Sequence, residues 1–237
     1  MKLRIKTTAN SQPDDDNKAV RLLTERRLAQ IRRSDIAKRL FDIVFSLSVL
    51  FLCAPIYLIL AGTITCTSSG SVFYVQERVG KNHQHFGCIK FRTMIPNADR
   101  VLDEMMAQSE DLRQEFSENF KLKQDPRITK IGKFLRITSL DEFPQFINVL
   151  KGEMSVVGPR PLVPEEIEKY GTAIDRVLTI RPGITGLWQV SGRNDIPYAQ
   201  RIRIDVSYVK RRNFWLDLRI VLMTVAVMVM PKNNGAY

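Results

Sequence analysis

Between residues 40 and 66 the chain reads LFDIVFSLSVLFLCAPIYLILAGTITC, an apolar run that predicts helix on either side of Pro55. Its length suits a membrane crossing, but three details favour a different arrangement. Pro55 lies near the middle, where its ring and missing N–H kink or break a helix. As helix, the arm from Leu40 to Ala54 is ~22 Å long, short of a ~30 Å hydrocarbon core. Basic residues flank both ends: Arg26, Arg27, Arg32, Arg33, Lys38 and Arg39 before, Arg78, Lys81, Lys90 and Arg92 after. A re-entrant helix-break-helix hairpin with both ends in the cytoplasm satisfies all three, and a single span with a proline kink is the alternative. Backbone groups freed at the break need partners, which Ser46, Ser48 or neighbouring protein would supply. Asp42 also needs a partner, and Arg39 is close in sequence.

Residues 71–94 alternate apolar and polar positions, with β-branched and aromatic residues, and predict a hairpin turning near Gly80-Lys81-Asn82. Residues 97–124 read as one charged amphipathic helix. Residues 214–230 are apolar but interrupted by Asp217 and Arg219; with Phe214 and Trp215 beside Lys210, Arg211 and Arg212, they fit an interfacial helix or a buried core helix. The expected organisation is a basic tail and helix over 1–37, the hairpin over 38–67, a cytoplasmic domain over 68–230 that ends in the interfacial helix, and a tail over 231–237. The expected fold is α/β (α+β), with surface amphipathic helices and a small antiparallel sheet.

Charge sharpens this outline. A formal net charge of +11 over 237 residues points to phosphate-bearing partners: nucleic acid, nucleotides or an anionic membrane. Cys53, Cys66 and Cys88 show no CxxC spacing and read as buried thiols of a reducing compartment. No signal peptide is visible, since the first long apolar run begins near residue 40. His83 and His85 are the only histidines and read as a polar loop edge, not a metal pair. The glycines form neither GxGxxG nor a Walker sequence.

Candidate chemistry gathers where Gly, Pro and Arg become dense. Asp141 and Glu142, in SLDEFPQ at 139–145, are an adjacent acid pair between Lys130, Lys133 and Arg136 upstream and Lys151 and Arg160 downstream. Acids at a helix N-terminus would account for one of them. An anionic substrate held by the basic groups and worked on by the acids accounts for both. Lys90 and Arg92 in KFRTM are candidates for phosphate contact. Arg136 lies about one turn from Asp141 if the segment is helical. Arg160 stands between two prolines, Arg181 and Arg193 suit phosphate or nucleotide, and Asp205 is a site acid or the partner of an arginine. Trp188 and Tyr208 could stack on a base or sugar, although core packing is the commoner role.

These residues carry a resemblance. KRLFD, the run broken at Pro55, KFRTM, DPRITKIGKFLR, SLDEFPQFINVLKGEMSVVGPRP, RPGITGLWQVSGRND and DVSYVK closely resemble the bacterial sugar transferases, the monotopic polyprenyl-phosphate phosphoglycosyl transferases. The match runs over about residues 38–230, in the order and spacing of the family, and is closest to its compact members in exopolysaccharide synthesis. One departure is Ala54 before the break proline, where many relatives place Ser.

The resemblance implies transfer of a sugar-1-phosphate from a UDP-sugar to undecaprenyl phosphate at the cytoplasmic face of the inner membrane, with release of UMP. It implies that Asp141 is the nucleophile of a covalent phosphosugar intermediate, that Glu142 is its partner acid, that the two serve Mg²⁺, and that the hairpin is re-entrant. The chemistry is consistent: carboxylates attack phosphorus, and a divalent ion with nearby guanidiniums removes the repulsion between two anions. The GLWQVSGRND form resembles the hexose members, with galactose or glucose donors, and an N-acetylhexosamine donor is the alternative. An inactive membrane scaffold is a further alternative, against which the intact dyad counts. Nucleic-acid binding rests on charge alone, leaves the apolar run unexplained, and is set aside. Homo-oligomerisation stays open.

Overall fold

The computed structural model describes residues 35–119, 122, 124–192 and 196–229. Most of the expected N-terminal tail and helix, the tail over 231–237 and the candidate Arg193 lie outside the described residues. The chain divides into two compact units, Met1–Phe41 and Asp42–Tyr237. In the first, residues 35–41 are helical and the Lys38 ammonium lies 5.5 Å from the centroid of the Phe41 ring.

The apolar run forms helices α1 (Asp35–Leu52) and α2 (Ala54–Thr67), bent by 61°. The break falls at Cys53, and Pro55 occupies the first turn of α2, where an N–H has no intrahelical partner anyway. The serines do not serve this break as expected from the sequence: Ser48 donates to Val44 O one turn back, and buried Ser46 Oγ has no partner. Phe51, Leu52, Leu58 and Ile59 are exposed around the bend. Among the described residues no single helix is long and apolar enough to cross a bilayer, whereas the bent pair together has the length and composition. Asp42 is buried and accepts from the backbone N–H of Val156.

The predicted hairpin is present as antiparallel strands β1 (Phe73–Val79) and β2 (His85–Phe91), in register from Phe73↔Phe91 to Val79↔His85. A single 3-10 turn over Lys81–His83 joins them, with Asn82 in the left-handed region. His83 pairs with Asp175 at 3.0 Å and His85 with Glu77 at 2.6 Å, all exposed. The segment expected as one helix over 97–124 is two, α3 (Ala98–Gln108) and α4 (Glu110–Asn119). Ser109 turns extended between them, and its Oγ accepts from Leu112 N, an N-cap that outcompetes continued helix.

Beyond these come α5 (Lys130–Thr138), α6 (Gln145–Lys151), β3 (Ser155–Val157), α7 (Ile167–Tyr170), α8 (Ile174–Val177), β4 (Gly183–Thr185), α9 (Leu187–Val190), α10 (Tyr198–Arg211) and α11 (Phe214–Val229). The mixed α/β class holds, but β3 and β4 pair in parallel, so the small sheets are not all antiparallel. One apolar cluster joins Leu60 and Ile64 of α2 to Phe91 and Leu135, and another joins Val79 and Leu162 to Tyr170, Ile174, Val177 and Leu178. In α11, Asp217 and Ile220 are buried, Asp217 accepting from the Tyr208 hydroxyl at 2.7 Å, while Trp215 on the same helix is 75% exposed.

Candidate active site

Helix α5 delivers the acid pair. Thr129 caps its start, accepting from Gly132 N at 2.9 Å, and Ser139 ends it in the left-handed conformation at φ 58°. The chain then turns through a single 3-10 turn, Leu140–Glu142, that carries Asp141 and Glu142. Strand β2 places Lys90 opposite, and Lys90 Nζ donates to Glu142 Oε1 at 2.8 Å. Asn148 of α6 fixes that strand: its side chain accepts from Ile89 N at 3.0 Å and donates to Gly87 O at 2.7 Å and to Glu153.

The two acids differ in state. Asp141 is only 9% exposed, and its carboxylate makes no hydrogen bond or ion pair to any side chain of the described residues. Burial pushes its pKa up to about 6, and the Glu142 charge adds to the rise against the pull of Lys90 and Arg136. Burial also opposes ionisation of Glu142, but Lys90 and Arg160 overcome it and hold that carboxyl well below its usual range. Within the pair, Glu142 is therefore held as the anion, while burial opposes the ionisation of Asp141.

The structure brings some of the candidate cations to this pair. Arg160 lines the same cleft as Lys90 and Glu142 and has no hydrogen bond or ion pair among the described residues, and the Glu142 and Glu166 carboxylates raise its pKa despite burial. Arg136, half-buried at the end of α5, donates to Thr93 Oγ1 at 3.0 Å; burial lowers its pKa while the charge of Asp141 supports it. Arg92 and Arg181 are engaged elsewhere. Arg92 donates to the carbonyls of Ser69 and Ser68 after α2, at 2.6 and 2.8 Å. Arg181 Nε donates to Gly152 O at the end of α6, at 2.6 Å. Asp205 is 1% exposed; one oxygen accepts from the Tyr170 hydroxyl at 2.8 Å and the other has no partner among the described residues. Burial lifts its pKa to about 7, against the Tyr170 bond and the charges of Arg160 and Arg201. Trp188 and Tyr208 are buried, Trp188 beneath the Arg201 guanidinium at 4.9 Å.

A family model described as bacterial sugar transferase matches residues 33–231. The chain belongs to this family. It is 46% identical over 206 residues to an undecaprenyl-phosphate galactose phosphotransferase of Salmonella typhimurium, covering 87% of this chain and 43% of that one. It is 43% identical over 199 residues to exopolysaccharide production protein ExoY of Sinorhizobium fredii, covering 84% and 88%. A UDP-glucose:undecaprenyl-phosphate glucose-1-phosphate transferase of Klebsiella pneumoniae is 40% identical over 200 residues, covering 80% and 39%. The chain thus spans less than half of the Salmonella and Klebsiella relatives and most of ExoY.

Some residues in and beside this sugar transferase's cleft were not singled out in the sequence. Arg78 and Gln145 are both buried and line the cleft with Glu142. Arg78 falls at a position in β1 that reads as an ordinary polar strand residue. Tyr57 carried a usable signal, since a phenol inside an apolar run must find an acceptor. Its hydroxyl donates to the carbonyl of Phe143, the residue after the acid pair, at 2.8 Å, and its ring lies against Phe91 and Phe143. The bent helix pair is thereby tied to the turn that carries Asp141. Tyr57→Phe keeps the ring and deletes the bond, and we expect turnover to fall about tenfold with donor KM unchanged; steady-state kinetics on the purified variant check this.

Proposed function

We propose that the chain transfers a hexose-1-phosphate from a UDP-sugar, UDP-galactose or UDP-glucose, to undecaprenyl phosphate at the cytoplasmic face of the inner membrane. This would be the first membrane step of exopolysaccharide synthesis. The observation that carries the reading is the buried Asp141 carboxylate, without a side-chain partner among the described residues, next in sequence to Glu142, which lines a cleft with Arg78, Lys90 and Arg160. The printed activities of the Salmonella and Klebsiella relatives support the substrate classes.

An Asp141 oxygen attacks the sugar-bearing phosphorus with its lone pair, forming an acyl phosphate, while the bond from that phosphorus to the bridging oxygen breaks and UMP leaves with the electron pair. A phosphate oxygen of undecaprenyl phosphate then attacks the same phosphorus and returns the electron pair to the carboxylate. Arg160 and Lys90 neutralise phosphate charge through both displacements, and Glu142 holds Lys90 in place.

Asp141 and Glu142 suit Mg²⁺, since two adjacent carboxylates, one without a side-chain partner among the described residues, match an ion that takes few protein oxygens and completes its shell with substrate phosphate and water. When bound, Mg²⁺ would supply charge neutralisation at the diphosphate. The exposed apolar bend of α1 and α2 would enter one leaflet as a re-entrant hairpin, with Trp215 of α11 at the interface, holding the acid pair at headgroup depth where the acceptor phosphate lies.

Intact-mass measurement after incubation with Mg²⁺ and a panel of UDP-sugars, without lipid acceptor, tests this. A sugar-phosphate adduct with UMP release is expected for a hexose donor. An adduct only with an N-acetylhexosamine donor would correct the sugar. No adduct, with turnover on adding undecaprenyl phosphate, would establish direct transfer and remove the nucleophile assignment, and no activity in either arm would leave an inactive scaffold.

A further inference from the structure

Arg78 is the cation of the cleft that the mechanism above does not use. It is 6% exposed, projecting from β1, and lies in the wall that also holds Lys90, Glu142 and Arg160. Two of its nitrogens are engaged: one donates to Pro161 O at 2.9 Å and the other to Gln76 Oε1 at 2.6 Å. Its Nε–H is buried with no partner among the described residues. The Glu166 carboxylate is 3.9 Å away, at the outer limit of an ion pair, and already accepts from Val163 N.

The charges in this wall do not balance. Lys90 is matched by Glu142, while among the described residues Arg160 has no ion pair, feeling the Glu142 and Glu166 charges only at longer range, and Arg78 has only the distant Glu166. Two guanidiniums lining one cleft repel each other unless an anion joins them, and a buried N–H left unsatisfied calls for an acceptor. The same wall carries an unsatisfied acceptor, the buried Oε1 of Gln189, whose amide nitrogen donates to Ile184 O at 3.0 Å. A phosphate ester answers the guanidiniums, and a hydroxyl on the same ligand answers Gln189.

We propose that Arg78 binds a phosphate group of the substrate jointly with Arg160, acting as a substrate-binding residue as well as a brace for the Pro161 carbonyl. The inference rests on reading the cleft as the phosphate site. The phosphate could belong to the donor diphosphate or to the lipid acceptor; the Gln189 acceptor favours the donor, whose sugar carries hydroxyls.

The test uses the full chain in nanodiscs, with Arg78→Lys, which keeps charge but loses the planar fork, and Arg78→Met. Thermal unfolding is followed with and without inorganic diphosphate, and with and without undecaprenyl phosphate in the bilayer, beside KM for the UDP-sugar. For the wild type, diphosphate should raise the unfolding temperature. In Arg78→Lys that rise should drop to less than half, with donor KM increased about tenfold and kcat changed less than threefold. If the diphosphate response is kept but stabilisation by undecaprenyl phosphate is lost, Arg78 binds the acceptor and the proposal stands for that source. If both variants are less stable yet respond to both ligands as the wild type does, with unchanged KM, Arg78 is a brace only and the proposal is overturned. A wild type that responds to neither ligand overturns the phosphate reading of the whole cleft.

Discussion

Asp141→Asn is expected to eliminate the covalent adduct and to lower turnover at least ~10³-fold while leaving a folded, more stable protein. The amide has no lone pair fit to attack phosphorus, so the chemical step is lost whatever happens to Mg²⁺ or donor binding. The donor half-reaction, read as UMP released without lipid, isolates that step from the acceptor phosphate, whose own second ionisation lies near pH 6. Burial raises the Asp141 pKa to about 6 in the metal-free protein; the rate of this half-reaction should rise with pH through that ionisation, because only the carboxylate attacks, at a lower apparent pKa once bound Mg²⁺ favours the carboxylate. Glu142 contributes no limb there, since Lys90 and Arg160 keep it ionised well below that range.

The stability of the same variant has the opposite sign from its activity. The unfolded chain ionises Asp141 near its ordinary 3.8, the folded chain near 6. Between those values the folded state holds the proton longer, so the Asp141 contribution is fully present below about pH 4 and is lost as pH rises through 6. Asn has no such ionisation. Its advantage over Asp should therefore be small at pH 4 and grow to about 2 kcal/mol at pH 7.5, or roughly 4–8 °C in unfolding temperature. Differential scanning of both proteins across that range measures it, and a constant gap would show that Asp141 is not held in a destabilised state. A residue that costs stability and supplies the reaction is what an active-site carboxylate should look like.

Which parts of this arrangement were legible in the sequence depended on how local the cause was. The β1–β2 hairpin is written in alternation and in the turn residues between the strands, and the break near Pro55 follows from one ring and one missing N–H. The acid pair was visible because neighbouring acids are conspicuous in a basic chain. What escaped depends on where side chains end after long-range packing. Arg92 and Arg160 look alike as strings, but one is spent on the carbonyls of Ser68 and Ser69 and the other makes no hydrogen bond among the described residues. Arg78 is buried because the Pro161 carbonyl comes to it from 83 residues away, which no period in the sequence reports. The parallel pairing of β3 with β4 was missed for the same reason, since each strand has only three residues.

That short parallel pair makes Gly183 the second position of large effect, because it holds the turn that carries Arg160. Gly158 N donates to Thr185 O at 2.9 Å and Gly183 N to Pro159 O at 2.7 Å, so the segment 158–161 is tied by its backbone to β4. A Cβ on Gly183 would collide with the backbone nitrogen of Gly158 and with Thr185 O. None of these atoms is the movable end of a side chain, so the two strands must part. Gly183→Ala is therefore expected to destabilise the fold by about 3 kcal/mol and to lower turnover at least ~100-fold, by loosening both Arg160 and the carbonyl that Arg78 grips. Gly62→Ala is the matched control: it lies in α2 with no atom within 4 Å of the added carbon, and alanine there should be neutral or slightly stabilising. Unfolding temperature and turnover of the two variants, measured in the same nanodiscs, separate a general intolerance of added bulk from this specific contact. Should Gly183→Ala keep both stability and turnover, the close approach of β4 to the Gly158–Pro161 turn would not be what positions Arg160. If stability falls but turnover per folded molecule does not, the strands would serve the fold alone, and Arg160 would have to be placed by Glu142 and Glu166 through charge.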